Sequence, residues 1–155
     1  MSRRAEVLML AAVTLAIASR ADADIRLPDD TPPSYRTECG TCHDPFAPQL
    51  MRKADWKQVV AGLDRHYGVN AALSADEVQP IAAFLDRRGA DDADARMAAA
   101  ELRLTATEYF RRRHASVSRA AWAHADVKRP SNCGGCHFTS DQGVFGHDVS
   151  IPGGR

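Results

Sequence analysis

Four cysteines occur in the 155 residues, all in two C-x-x-C pairs with a histidine directly after each: Cys39-Gly40-Thr41-Cys42-His43 and Cys133-Gly134-Gly135-Cys136-His137. In this arrangement the two thiols add to the two vinyl groups of haem, and the next imidazole falls beneath the iron as its proximal ligand. One short segment thereby fixes porphyrin and iron together. The pattern predicts two covalently bound haem c groups, attached through Cys39, Cys42, Cys133 and Cys136, with His43 and His137 on the irons. Four cysteines could instead form a disulfide framework or a four-thiolate zinc site. Neither explains a histidine after both pairs.

What sits on the far side of each iron separates an electron carrier from a ligand-binding or catalytic haem. Of six histidines, His66, His114, His124 and His147 are left for that position, and beyond residue 23 the only methionines are Met51 and Met97. His66 follows Leu63 by three on the apolar face of a predicted helix, so it should point inward. His114 comes four residues after Phe110, which sets its ring beside an aromatic one. These two are the favoured distal ligands. His124 has little apolar periodicity to aim it, and His147 would need the glycine-rich tail to fold back over the second haem. Met51 lies only eight residues after His43, and Met97 lies in an alanine-rich stretch, so both read as packing. Trp56, Trp122, Tyr109 and Phe110 are candidate walls around the porphyrins.

The elements that must position these residues are helical, and no useful strand pattern appears. Pro28, Pro32 and Pro33 predict an extended arm from Asp24 to Thr37, leading to a haem helix near Cys39. A helix is expected over Ala54 to Tyr67, carrying Trp56, Val59, Val60 and Leu63 and stopped by Gly68. Ser74-Ala75-Asp76-Glu77 reads as a capping box opening a helix with Val78, Ile81, Phe84 and Leu85 on one side and Gly89 at its end. The acidic, small residues Ala90 to Ala95 mark the boundary between two lobes, 24–90 and 91–155, although Ala98 to Leu104 could resume helix directly. A helix from Glu108 to His114, capped by Thr105 or Thr107, precedes a turn at Ser116 to Ser118, a short helix with Trp122, and a second haem helix entered from Pro130 and Ser131. The tail from Gly143 should be extended.

Residues 1–23 read as a cleaved export signal, with Arg3 and Arg4, an apolar run from Val7 to Ala18, and Ala21-Asp22-Ala23 as the cleavage site; an uncleaved anchor is the alternative. Taking 23 from 155 leaves 132 residues, with 17 Lys+Arg against 18 Asp+Glu. That is enough for one compact unit or two small lobes, and too little for a large multidomain enzyme. No later stretch reaches the roughly 20 apolar residues of a spanning helix, so no stable membrane insertion is expected. No clustered basic face suggests nucleic acid.

The stretches "ECGTCHDPFAPQL", "DWKQVVAGLDRHYG", "RLTATEYFRRRH", "NCGGCH", "GVF" and "VSIPG" span nearly all of the mature chain, and their order and spacing resemble the diheme cytochromes c of purple bacteria and related proteobacteria. The stretch from Trp122 to Lys128 is the loosest match. The resemblance implies a mainly α fold, with an N-terminal lobe similar to a small cytochrome c followed by a less regular helical C-terminal haem lobe. It also implies two six-coordinate bis-histidine haems of low potential, with ligands at His43, His66, His114 and His137. We assign His66 to the first iron and His114 to the second, a crossed arrangement being the alternative. As partners it implies an oxygen-binding monohaem cytochrome c and a membrane b-type cytochrome.

Two functions follow. A periplasmic single-electron carrier needs both irons closed by protein, and it has no substrate and no catalytic residue. A haem enzyme or gas-binding protein needs one open iron and a pocket with positioned acid and base groups, for which 132 residues around two haems leave little room.

Overall fold

The computed structural model describes residues 25–146 and 148–153. The export signal and His147 lie outside the described residues. Among the described residues there are five α-helices: α1 (Pro33–Gly40), α2 (Lys53–Ala61), α3 (Ala75–Arg88), α4 (Glu108–Arg113) and α5 (Arg119–Trp122). The architecture is mainly α, as expected. One two-stranded antiparallel ladder joins β1 (Ile25–Arg26) to β2 (Val144–Phe145), with Ile25 opposite Phe145.

The extended arm is shorter than predicted. Pro33 occupies the first turn of α1, where its fixed φ suits a helix and its missing N–H costs nothing, so the helix begins four residues before Thr37. Ile25 and Arg26 of the arm form β1, and the Leu27 N–H continues the ladder to the Gly143 carbonyl at 2.7 Å. Gly143 has φ +79, and a Cβ there would stand 2.5 Å from a Leu27 methyl. Both the backbone and the packing therefore require glycine.

α2 also departs from expectation. It ends at Ala61 with Gly62 as its cap, a stop that the apolar periodicity obscured, and a 3₁₀ turn over Leu63–Arg65 carries the chain to His66. α3 follows the predicted signals: Ser74 and Glu77 form the capping box, Pro80 is accommodated inside the helix, and Ile81, Phe84 and Leu85 are buried. Between α3 and α4 the chain makes 3₁₀ turns at Ala95–Met97, Ala100–Leu102 and Leu104–Ala106 instead of resuming helix. Glu101 and Leu102 adopt φ of 54 and 58, which breaks any continuous helix there.

The core gathers Leu27, Tyr35, Met51, Trp56, Ile81 and Phe84 around the crossing of α2 and α3. Tyr35 packs on Phe84 with ring centroids 5.1 Å apart, and its hydroxyl donates to the Phe46 carbonyl at 2.6 Å. The Trp56 indole N–H donates to the Pro48 carbonyl at 2.7 Å, satisfying the one polar atom of a buried ring. Met51 and Met97 are buried as packing residues. Asp55, 3% exposed, is a buried carboxylate that accepts three hydrogen bonds: two from the Arg52 guanidinium at 2.9 and 3.0 Å, and one from the Ala99 N–H at 3.1 Å. It ties the 3₁₀ segment to α2. Burial raises its pKa, but the Arg52 bonds and the Ala99 N–H outweigh this and hold it below the usual carboxylate range.

Candidate functional site

The first Cys-x-x-Cys-His segment straddles the end of α1. Cys39 lies in its last turn, Thr41 caps it, and Cys42 and His43 stand in the turn that follows. The His43 Nδ1–H donates to the Asp44 carbonyl at 2.8 Å, and its ring stacks on Phe46, centroids 4.6 Å apart and planes 16° off parallel. A carbonyl on Nδ1 fixes the tautomer in which Nε2 keeps its lone pair, the form that binds a metal.

His66 is presented differently. It ends the 3₁₀ turn after α2, Val69 returns its N–H to the His66 carbonyl at 3.0 Å, and Ala71 bonds back to Leu63 at 2.9 Å. This tight reversal puts Tyr67 at φ 49, a conformation that costs a side-chain-bearing residue roughly 1–2 kcal/mol. Contacts with the 3₁₀ segment offset it: the Tyr67 hydroxyl donates to the Leu102 carbonyl, and Arg103 lies 4.5 Å over the ring. Tyr67 in turn sets its edge against His66, centroids 4.7 Å apart.

The second segment is a 3₁₀ turn over Cys133–Gly135, shorter than the helix predicted. Its shape comes from packing: a Cβ on Gly135 would lie 3.0 Å from the Asp126 carbonyl and from the Val127 Cα, and Asn132 braces the same two residues with bonds of 2.9 and 3.0 Å to their carbonyls. The tail folds back on this segment. Val149 bridges His137, and the Ser150 N–H reaches the Cys136 carbonyl at 3.0 Å. The Gly146 carbonyl accepts from His137 Nδ1 at 3.2 Å.

His114 caps α4, which starts as predicted at Thr107, whose hydroxyl accepts from the Phe110 N–H. Its Nδ1–H donates to the Phe110 carbonyl at 2.8 Å, and the two rings stack at 4.0 Å, as the four-residue spacing predicts. Trp122 closes the group at 5.8 Å from His114. His124 is exposed and turned towards Asp126, apart from this group. Trp56 belongs to the α2–α3 core and Tyr109 packs against it, so among the proposed walls only Phe110 and Trp122 touch a candidate ligand.

The structure brings the four favoured histidines together in two pairs: His43 with His66, centroids 6.4 Å apart, and His114 with His137, centroids 6.1 Å apart. Two imidazoles on opposite sides of one ion, each with its nitrogen about 2 Å from the metal, have centroids about 6 Å apart. Both pairs fit that span. Burial pushes His66, His114 and His137 towards the neutral form that a metal binds, with His43 adding to the effect on His66 and His114 to that on His137. None of the four cysteines is in a disulfide, and no group of three or more His, Cys, Asp or Glu side chains among the described residues could hold a zinc ion. Burial pushes the Cys39 and Cys133 thiols up to about 12.

A helical chain with two such attachment segments, each facing a second imidazole, is a c-type haem protein with two centres. It belongs to the dihaem cytochrome c family, whose model matches residues 35–145, and it carries two haem c groups. Among solved structures, a diheme cytochrome type c from Shewanella baltica is 27% identical with a TM-score of 0.67, covering 79% of this chain and 94% of that one. The diheme cytochrome c from Rhodobacter sphaeroides is 30% identical with a TM-score of 0.66, covering 77% and 99%. No curated protein matches the chain. The residues that reading the sequence missed are Phe46, Asp44, Ser140 and Gly146, which act through a stacked ring, a side-chain hydrogen bond or a backbone carbonyl and so leave no motif.

Proposed function

We propose that this protein is a periplasmic single-electron carrier in which two histidines close each haem iron: His43 and His66 in the lobe 24–90, His137 and His114 in the lobe 91–155. The observation that carries the reading is the pairing of these rings at 6.4 and 6.1 Å, a span that fits one metal ion between each pair. Each haem, when bound, supplies a one-electron couple. Cys39, Cys42, Cys133 and Cys136 would attach the two groups, and His43 with His66 and His137 with His114 would ligate the irons, leaving no open position for small gases. Two imidazoles also favour a lower potential than imidazole with thioether, in keeping with the burial of Met51 and Met97 in packing roles.

Export rests on the signal pattern of residues 1–23, and among the described residues no helix is long and apolar enough to cross a membrane. The reading assigns no substrate and no catalytic residue. Its partners are redox proteins, with an oxygen-binding monohaem cytochrome as acceptor and a membrane b-type cytochrome as donor carried over from the family resemblance. The test is the visible spectrum of the dithionite-reduced protein before and after carbon monoxide. An unchanged spectrum is expected; a clear shift would mean an open iron and would favour a gas-binding or enzymatic haem.

A further inference from the structure

One hydrogen bond joins segments 96 residues apart: the Ser140 hydroxyl donates to the Asp44 carboxylate at 2.6 Å. Neither residue belongs to an attachment motif, yet each is tied to one. Asp44 directly follows His43, and the Ser140 N–H donates to the His137 carbonyl at 3.1 Å. Ser140 is 1% exposed and Asp44 is half-buried, so the contact is partly withdrawn from water. It also presses on the backbone between Cys133 and Cys136: a Cβ on Gly134 would come 3.3 Å from the Ser140 Oγ and 3.4 Å from the Asp44 Oδ2. The carboxylate's partner is a neutral hydroxyl, which holds the charge in place without cancelling it.

We propose that Asp44 and Ser140 form a clasp between the two haem segments, in which Ser140 seats the Asp44 carboxylate against the second segment and the fixed negative charge makes the second haem harder to reduce. Reduction there adds one electron, taken from a donor protein or an electrode, and converts ferric to ferrous iron. A carboxylate held nearby in a half-buried site opposes that added negative charge. Asp44 is thus a positioning and tuning residue, and one residue of the first motif's sequence neighbourhood sets the behaviour of the second. The inference rests on the two-haem reading given above.

The test is spectroelectrochemistry of the intact two-haem protein and its Asp44→Asn variant, with haem content measured on both. The ferric signals assign each wave, since imidazole planes 28° apart in the first pair and 70° apart in the second give different paramagnetic resonance spectra. With two haems retained, the second centre should become easier to reduce by about tenfold in equilibrium constant, or 59 mV for one electron, while the first moves less. Unchanged potentials at both centres would overturn the proposal. Ser140→Ala keeps the charge but releases it, and should shift the same wave in the same direction by a smaller amount; no shift there would also count against the clasp. A protein holding fewer than two haems before any substitution would instead sink the underlying reading.

Discussion

The two histidine pairs reach nearly the same ring separation by different means. In the second pair both Nδ1 atoms are bonded to backbone carbonyls, Phe110 for His114 and Gly146 for His137, and Phe110 and Trp122 pack on His114. In the first pair only His43 has such an anchor; among the described residues His66 makes no side-chain hydrogen bond, and its orientation rests on a tight backbone reversal and the edge of Tyr67. A ligand aimed by a hydrogen bond resists rotation and is a stronger donor than one aimed by packing. On the proposed ligation, the first centre is the softer of the two, and His66 is the side chain an outside molecule would displace first.

Removing the proposed distal ligands has the largest expected effect. His66→Ala and His114→Ala should each open one iron, so that carbon monoxide shifts the spectrum of about half the haem in either reduced variant, in line with the axial-ligand control of haem reactivity. If neither spectrum changed, the pairing would be wrong. In the unsubstituted ferric protein, cyanide should enter in two phases, the faster by at least about tenfold, the scale on which outer partners of metal-bound histidines act. In His66→Ala, with no imidazole to displace at the first site, the faster phase should become faster still while the slower phase is unchanged. Loss of the slower phase instead would reverse the comparison.

The halves should also part under acid. α2, whose continuation delivers His66, is locked to the 3₁₀ segment by buried Asp55. Asp55→Asn should cost roughly 2 kcal/mol, the scale of breaking a buried charged hydrogen-bond network at one end, read as a lower midpoint in guanidinium. Since the folded carboxyl is held below its ordinary range, its contribution is fully present above about pH 4 and is lost as pH falls further, towards the folded value. Acid should therefore disturb the first centre's spectrum before the second's, and the Asp55→Asn variant should lose that order.

These differences mark how far the sequence could be read. Local signals were legible where one side chain determines the backbone beside it: the capping box of Ser74 and Glu77, the Thr107 cap, and the stacking of Phe110 on His114. Helical periodicity gives the inward aim of His66, although His66 lies past the helix end at Gly62. The apolar pattern runs on through the 3₁₀ turn, so it aimed the residue correctly over the wrong length. The β1–β2 ladder, the Asp44–Ser140 bond and the Gly146 carbonyl depend on residues far apart in sequence, and two-residue strands carry no periodicity to detect.

The smallest expected effect tests the firmer centre at its own anchor. Thr107 is 1% exposed; its hydroxyl donates to the Leu104 carbonyl at 2.8 Å and accepts from the Phe110 N–H at 3.1 Å. It therefore holds the first turn of a six-residue helix whose Phe110 carbonyl aims His114. Thr107→Ala should cost about 1 kcal/mol, as loss of a helix cap does. Because that energy acts on the turn carrying the His114 anchor, the fraction of second sites open to cyanide should rise about fivefold, with the first site's rate unchanged. A change confined to overall stability, with both cyanide phases intact, would mean that the stacked rings alone hold His114, and the hydrogen-bond account of why the second centre is firmer would fail.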